Sequence, residues 1–241
     1  MTFGIMQPYF FPYLGYYALI KYSDQFIFFD TPQYISHGWI NRNRVLKQDG
    51  TWNYIVVPIQ KASRETAIKD IVISDTVRWK EKIYGQLSIY RKKAPNYRET
   101  MDIVRSVLER DYEGNLCKLN MESIGTICDF LEIKKDFYIF SQMDLEIEKV
   151  NAPDEWALNI TKALHGDAYV NPPGGMSFFS NEKYKRNNIN LKFLKVNLKP
   201  YVQRIGHFEA GLSIIDVMMF NAQKEIKDML NDFVLIEGDD V

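Results

Sequence analysis

Aromatic and amide side chains are concentrated in residues 7–16 (QPYFFPYLGY), a turn between an apolar run and a helical pattern. Two prolines restrict the shape of this turn, and the free amides at the start of the following helix favour an anion such as a diphosphate or a carboxylate. Gln7, Tyr9 and Gly15 are therefore candidates for ligand contact. The alternative is that the aromatic rings only fill the end of a sheet.

A second polar segment, residues 30–43 (DTPQYISHGWINRN), begins where another strand is expected to end. Open α/β sheets bind their ligands at that edge. The amide and guanidinium groups can pair with carbonyl, carboxylate or phosphate oxygens, and the rings offer flat faces for a base or a sugar. The candidate residues are Asp30, Tyr34, Trp39, Asn41, Arg42 and Asn43. Alternatively, the asparagines cap a hairpin and the arginine pairs with the aspartate.

His37 lies within this segment and is a candidate general base, because a neutral imidazole can take a proton from an amine or a hydroxyl. Asp30 is the second candidate for that role. A surface or hydrogen-bonding histidine is the alternative. The chain has three histidines and two cysteines, and none of their spacings matches a zinc motif, so no metal site is expected.

A glycine-rich loop and a helix start add weaker candidates. Residues 171–177 (NPPGGMS) follow an expected strand, and paired glycines allow backbone amides to approach a ligand. Gly174, Gly175 and Ser177 are therefore candidates for substrate contact. Near the C-terminus, Ser213 and Asp216 have the spacing of a helix-capping pair, and Asp216 has the alternative of holding a substrate hydroxyl or ammonium group.

The composition argues against several classes of protein. Thirty basic residues against 31 acidic ones give a net charge of −1, whereas a sequence-independent nucleic-acid binder is expected to be more basic. Residues 1–17 have no basic start and no 18-residue apolar run, so neither a signal peptide nor a membrane span is expected. The interpretation is a cytoplasmic protein without membrane or nucleic-acid partners, whose oligomeric state the sequence leaves open.

Both cysteines lie in one predicted helix. Cys117 and Cys128 share a face of that helix with Met121, Ile124 and Leu131. We therefore expect both thiols to be reduced, buried and without a functional role.

Apolar periodicity predicts the elements that must position these segments. Residues 3–6 and 25–29 are strand-like and enclose a helical pattern at 14–22, which indicates a βαβ unit with parallel strands. The same alternation returns later, with strands at 137–140, 168–170 and 191–196 and helices at 154–164 and 181–186. A last helix is expected over residues 212–230.

The pattern differs between these two regions. Strand-like pieces at 52–58 and 68–73 and a Gln-Asp-Gly turn at 48–50 predict an antiparallel insertion over residues 31–75, and a helical section follows. Residues 1–241 are interpreted as a single α/β domain, with a mostly parallel sheet, flanking helices and the antiparallel insertion. In this arrangement, seven side chains are predicted to converge on one pocket: those of Gln7, Asp30, His37, Trp39, Asn41, Arg42 and Asn43.

The motifs and their order resemble the WbqC-like family, which is associated with bacterial O-antigen and other surface-polysaccharide gene clusters. The segments that carry the resemblance are QPYFFPYLGY, DTPQY, WINRN, WNYIVVP, YRKKAP, GDAY with the glycine loop, and SIID. Three positions depart from the family pattern. They are the glycine loop, which reads NPPGG instead of a Ser-Gly pattern, Phe178 and Phe179 in place of tyrosine, and Ala222 in place of a glycine.

The resemblance implies a transferase that tailors a nucleotide-linked deoxyamino sugar, for example by N-acyl or aminoacyl transfer to the sugar amine. An acyl donor such as acyl-CoA would be its co-substrate. Two alternatives stay open: a non-catalytic module that binds a nucleotide sugar or a glycan, and a nucleotidyl-transferring or adenylate-forming enzyme. The opening turn is similar to the H-x-G-H turn of nucleotidylyltransferases, but Tyr13 and Tyr16 replace both histidines, which removes the transition-state donors.

Overall fold

The computed structural model describes residues 1–204 and 207–240. The strands are β1 (Thr2–Met6), β2 (Gln25–Phe28), β3 (Arg42–Leu46), β4 (Trp52–Val56), β5 (Phe137–Ile139), β6 (Ala168–Asn171), β7 (Asn190–Val196) and β8 (Phe233–Glu237). The helices are α1 (Leu14–Tyr22), α2 (Trp79–Leu87), α3 (Tyr97–Leu108), α4 (Leu116–Phe130), α5 (Glu155–Ala163), α6 (Asn181–Arg186), α7 (Ile214–Phe220) and α8 (Gln223–Asn231). No helix in these residues is long and apolar enough to span a membrane.

Six strands form one sheet in the order β5-β2-β1-β6-β7-β8. Strand β1 lies in the middle, where Phe3 pairs in parallel with Gln25 of β2 on one side and with Tyr169 of β6 on the other. The chain builds outward from β1 to β2 and β5, and then returns to the opposite side of β1 as β6 and β7. The strand order therefore reverses between β1 and β6, which makes their carboxyl ends the topological switch point of the sheet.

The predicted α/β class is confirmed. Strands β1, β2, β5, β6 and β7 are parallel, and β8 pairs with β7 in the antiparallel direction. Alternating side chains face opposite sides of the sheet, so that Phe26 and Phe28 pack in the cluster that contains α1, whereas Phe3 and Ile5 pack in the cluster that contains α5. Helices therefore cover both faces, as a parallel sheet requires.

The antiparallel insertion is also confirmed, as the two-stranded hairpin β3–β4. Its turn closes where the Gln-Asp-Gly sequence predicts, with the Lys47 amide donating to the Thr51 carbonyl at 2.7 Å. Gly50 has a φ of +83°, a conformation that other residues rarely adopt, which explains the glycine at this position.

Two predicted elements are wrong. The predicted strand at 68–73 begins as a 3₁₀ turn (Ile68–Asp70), because the amides of Ile68 and Lys69 bond to the carbonyls of Pro32 and Asp30. Val72 and Ile73 then form isolated antiparallel bridges and no continuous strand. The helix expected over 212–230 is two helices, α7 and α8. Asn221 between them is extended, and its carbonyl accepts a 2.8 Å hydrogen bond from Asn96.

Strand β8 follows α8 and was not predicted, although Asn231 and Asp232 before its short run Phe233–Glu237 are residues that favour turns. The cysteine helix is confirmed as α4. Both thiols are free and buried, and burial raises the pKa of Cys117 and of Cys128 to about 12. Neither group is therefore a thiolate at neutral pH.

Candidate functional site

The opening turn, residues 7–13, follows β1 at the switch point, and hydrogen bonds from distant residues hold its carbonyl groups. Asn43 donates Nδ2 to the carbonyls of Phe10 and Phe11, at 3.0 and 2.8 Å. Ser213 donates Oγ to the Phe11 carbonyl at 2.8 Å. These bonds hold Phe11 at a φ of +39°, a rare conformation for a bulky residue. Asn43 is 4% exposed, so its amide positions the turn from within the core.

A second asparagine joins the opening turn to the insertion. Asn120 of α4 is fully buried and donates Nδ2 to the carbonyls of Pro8 and Ile40, at 2.8 and 2.7 Å. The Phe10 amide donates to the Trp39 carbonyl at 3.0 Å. Because buried carbonyls are costly to leave unpaired, these bonds define one shape for the turn and one position for Trp39 beside it.

The other residues of the polar segment bond mainly to each other. Asn41 donates Nδ2 to the Val57 carbonyl and accepts a bond from the Tyr34 hydroxyl, both at 3.0 Å. Arg42 donates Nε to the Gly38 carbonyl at 3.2 Å and Nη2 to the His37 carbonyl. Asn41 thus holds the hairpin through Val57, whereas Asn43 bonds to the opening turn. The expected pairing of Arg42 with Asp30 is not formed, because Arg42 bonds to the Gly38 and His37 carbonyls and Asp30 to Ser141.

His37 is exposed and has a φ of +67°. Its Nδ1 lies 3.5 Å from Nη1 of Arg42. A guanidinium group can only donate hydrogen bonds, so Nδ1 accepts in this contact when the imidazole carries its proton on Nε2. In that tautomer, Nε2 is a hydrogen-bond donor.

Asp30 and Ser141 meet at the carboxyl edge, the edge of the sheet where the parallel strands end. Asp30 follows β2, is 2% exposed, and accepts bonds from the Ser141 amide at 3.0 Å and from the Ser141 hydroxyl at 2.5 Å. Ser141 follows β5 and is exposed. The pair therefore places an accessible hydroxyl in direct contact with a buried carboxylate.

Three tyrosines lie on the opening turn and on β6, the two segments that border the switch point. Tyr169 of β6 donates a 2.9 Å bond to Oδ1 of Asn171, the last residue of that strand. Burial raises the pKa of Tyr9, Tyr13 and Tyr169. The negative charge of an ionised Tyr13 would raise the pKa of Tyr9 further, and the charge of an ionised Tyr9 would raise the pKa of Tyr169. These hydroxyls therefore stay neutral at physiological pH. Among the described residues, the hydroxyl of Tyr169 has a hydrogen-bond partner, whereas those of Tyr9 and Tyr13 make no hydrogen bond.

Two of the three glycine candidates, Gly15 and Gly175, lie against other side chains. A Cβ on Gly15 would lie 2.5 Å from the Tyr13 ring, and a Cβ on Gly175 would lie 2.3 Å from Nδ2 of Asn171. Packing alone therefore requires these glycines. The loop after β6 continues as a 3₁₀ segment (Pro173–Phe178), in which Gly174 and Ser177 are exposed.

Asp216 lies in the core and not at the carboxyl edge. It is fully buried, and it accepts hydrogen bonds from Tyr90 (2.7 Å), Tyr201 (2.5 Å) and Gln203 (2.8 Å). Ser213 does cap its helix, with Oγ 3.3 Å from the Ile215 amide. The Asp216 side chain bonds to these three partners, so it links separate segments and presents no oxygen at the surface.

A family model described as the WbqC-like protein family matches residues 7–228, from the opening turn through α7 and into α8. The chain belongs to this family. It is 27% identical over 229 residues to an uncharacterized protein of Mycobacterium tuberculosis, Rv1507c, and the match covers 94% of this chain and 96% of that protein. No solved structure matches the chain significantly.

This WbqC-like protein has carboxyl-edge residues that sequence reasoning did not select: Tyr13, Ser141, Tyr169 and Asn171. A usable signal existed for Tyr169 and Asn171, since polar groups two residues apart at the end of a buried strand share one face. Ser141 gave no such signal, because it is an isolated serine after a short strand. Within residues 1–204 and 207–240, no group of three or more His, Cys, Asp or Glu side chains could hold a metal ion.

Proposed function

We propose that this WbqC-like protein is a transferase that adds an acyl or aminoacyl group to the amine of a nucleotide-linked deoxyamino sugar. The reversal of strand order between β1 and β6 carries the proposal, because open α/β sheets bind their ligands outside the carboxyl ends of the strands at such a point. The opening turn and the loop after β6 border this position. The resemblance to proteins of surface-polysaccharide clusters supports an amino sugar as the substrate.

The tyrosines at the switch point suit a sugar rather than a strongly charged group. Their raised pKa values keep the hydroxyls of Tyr9, Tyr13 and Tyr169 neutral, so each can donate one hydrogen bond and also accept one. Sugar hydroxyls need the same two capacities from their partners. Tyr9 and Tyr13 therefore supply unpaired groups where the sugar would lie.

In the proposed reaction, Asp30 acts as the base through Ser141. The sugar amine attacks the carbonyl carbon of an acyl donor such as acyl-CoA, a C–N bond forms, and the thiolate leaves. The amine proton passes to Oγ of Ser141 while the Ser141 proton passes along its 2.5 Å hydrogen bond to Oδ2 of Asp30. His37 contributes its Nε2 proton as a hydrogen-bond donor to the substrate.

A non-catalytic nucleotide-sugar module is the second candidate. It is favoured by the fact that both sequence candidates for a base are already engaged, Asp30 with Ser141 and His37 with Arg42. Such a module would use the same tyrosines and would need no proton transfer.

Binding and product formation test the two candidates together. A ligand at one hundred times its Kd stabilises a protein by about 2.7 kcal/mol, so thermal unfolding with UDP- or dTDP-linked amino sugars should show an increase in Tm. With acetyl-CoA added, mass spectrometry should detect a sugar nucleotide heavier by one acetyl group. Tyr9→Phe should weaken binding, whereas Tyr84→Phe, a matched change on α2, should not. Stabilisation without product would favour the binding module, and no stabilisation would contradict both candidates.

A further inference from the structure

The hairpin β3–β4 has an outer face that the opening turn does not cover. Side chains alternate along each strand: Asn43, Val45 and Ile55 are buried in the core, whereas Arg42, Arg44, Tyr54 and Val56 on the other face are partly or fully exposed, and that face ends at the buried Leu46. We define the outer face as Arg42, Arg44, Trp52, Tyr54 and Val56. The Arg42 and Asn43 side chains therefore lie on opposite sides of the same strand, and the pocket predicted to contain both is divided in two.

Guanidinium groups and aromatic rings are interleaved on the outer face. Arg42 lies 4.0 Å from the centre of the Tyr54 ring, and Arg44 lies 5.1 Å from that of Trp52. The Trp52 and Tyr54 rings are 5.2 Å apart. Each guanidinium therefore lies over an aromatic ring. Arg42 also donates to the carbonyls of Gly38 and His37, and Arg44 donates Nη2 to the Gly211 carbonyl at 3.1 Å.

The charge of this face is mostly uncompensated. Among the described residues, no carboxylate lies within 4.0 Å of Arg42, and the contact of Arg44 with Glu209 is at the 4.0 Å limit. No acidic side chain belongs to the outer face. A guanidinium has five N–H groups, more than these contacts use, and arginine N–H groups bond well to phosphate oxygens, so the face is complementary to a phosphate-bearing ligand.

Trp39 connects the outer face with the switch point. Its carbonyl accepts the bond from Phe10 of the opening turn, while its ring lies 6.4 Å from that of Tyr54 and 5.6 Å from the Arg44 guanidinium. Trp39 is 39% exposed, so part of its indole is accessible to a ligand. A ligand lying on Trp39 would contact both regions.

We propose that the outer face with Trp39 binds the nucleoside diphosphate part of the substrate, with the base stacked on Trp39 and the phosphates on Arg42 and Arg44. This inference rests on the proposed function, and it deepens that proposal by giving the nucleotide its own site. The sugar then extends past Trp39 toward Tyr9. A base on an aromatic ring and phosphates on arginines each contribute about 1–3 kcal/mol.

Titration calorimetry with UDP and dTDP tests this assignment directly. Val56 is 37% exposed and pairs with Arg42 across the hairpin, so Val56→Glu adds a repelling charge without disturbing the core. We expect it to raise the Kd about tenfold or more, as should Arg42→Gln. Each variant has a matched control. Val234→Glu adds the same charge on β8, where the valine is 46% exposed, and Arg105→Gln removes the guanidinium that lies over the Tyr84 ring. Both controls should leave the Kd unchanged.

Different results separate this inference from the proposed function. If UDP or dTDP binds but only Tyr9→Phe weakens it, the outer face is not the nucleotide site although nucleotide-sugar binding stands. If Val56→Glu weakens nucleotide binding and no acetylated product forms, the site stands and the transferase proposal fails. An unchanged Kd in both Val56→Glu and Arg42→Gln, or no binding of either nucleotide at millimolar concentration, would overturn the inference.

Discussion

The Tyr90 hydroxyl donates a 2.7 Å hydrogen bond to Oδ2 of Asp216, 126 residues away along the chain. The same hydroxyl accepts a 2.9 Å bond from the Leu46 amide at the end of β3. Tyr90 therefore joins the helical middle section to α7 and to the hairpin. Two motifs of the family, YRKKAP and SIID, meet in this contact, which lies inside the core.

Replacing Tyr90 by Phe should lower the free energy of unfolding by about 1–3 kcal/mol, because it leaves the Leu46 amide without a partner and takes one donor from a buried carboxylate. Tyr84→Phe is the matched control, since the Tyr84 hydroxyl bonds to Glu109 at the surface and its loss should cost no more than about 0.5 kcal/mol. Urea unfolding measures both. Equal losses in the two variants would contradict a structural role for Tyr90.

Asp216 should make stability depend on pH. Burial raises its pKa, an effect that outweighs its three hydrogen-bond donors, so the folded state holds the proton more tightly than the unfolded state does. Its contribution is fully present below the unfolded pKa of about 3.9 and is lost as the pH rises through the folded value. The free energy of unfolding of the wild type should therefore fall relative to that of Asp216→Asn as the pH is raised from 4 toward neutrality. A constant or rising difference would be inconsistent with this prediction.

Asn43→Ala should destabilise the protein by about 2–3 kcal/mol, because the Phe10 and Phe11 carbonyls both lose a buried donor. Asn53 in the facing strand is the control, since its buried Oδ1 has no described partner and Asn53→Ala removes no such bond. Denaturant titration gives both values. If Asn43 instead served only a ligand, the alanine variant would keep its stability and lose binding.

The two cysteines should react slowly in the folded protein. Both are buried, with pKa values of about 12, so the thiolate that attacks a disulfide reagent is scarce and inaccessible at pH 8. Ellman's reagent should label both in denaturant and neither within minutes under native conditions. The double replacement by alanine should reduce stability and leave activity per folded molecule intact. Rapid native labelling of either thiol would contradict the burial.

Asp30→Asn should reduce acyl transfer by about 10²- to 10⁴-fold, the usual contribution of a general base, and should leave UDP binding unchanged. Ser141→Ala should show a similar loss, because it breaks the proposed path of the proton. His37→Ala distinguishes the other candidate, since it should cost little if His37 only donates a hydrogen bond. A collapse of transfer in His37→Ala with intact binding would assign the base to His37 instead.

Local patterns were sufficient to predict a large part of the architecture. The span of α1 follows from its apolar periodicity, and β1 and β2 lie within one residue of their predicted ends. The hairpin turn follows from the conformational demand at Gly50, and the buried cysteines follow from their spacing in α4. Each of these features depends on residues that are close in sequence, so the sequence alone determined them.

The tertiary structure decided what the polar residues do. Arg42 and Asn43 are adjacent, yet one lies on an outer aromatic surface and the other bonds to Phe10, 33 positions away. The break between α7 and α8 likewise accompanies a bond from Asn96, 125 positions from Asn221. A side chain that can bond to a ligand can equally bond to a buried carbonyl. Which of the two it meets depends on long-range packing, because only the folded chain determines which backbone groups are removed from water.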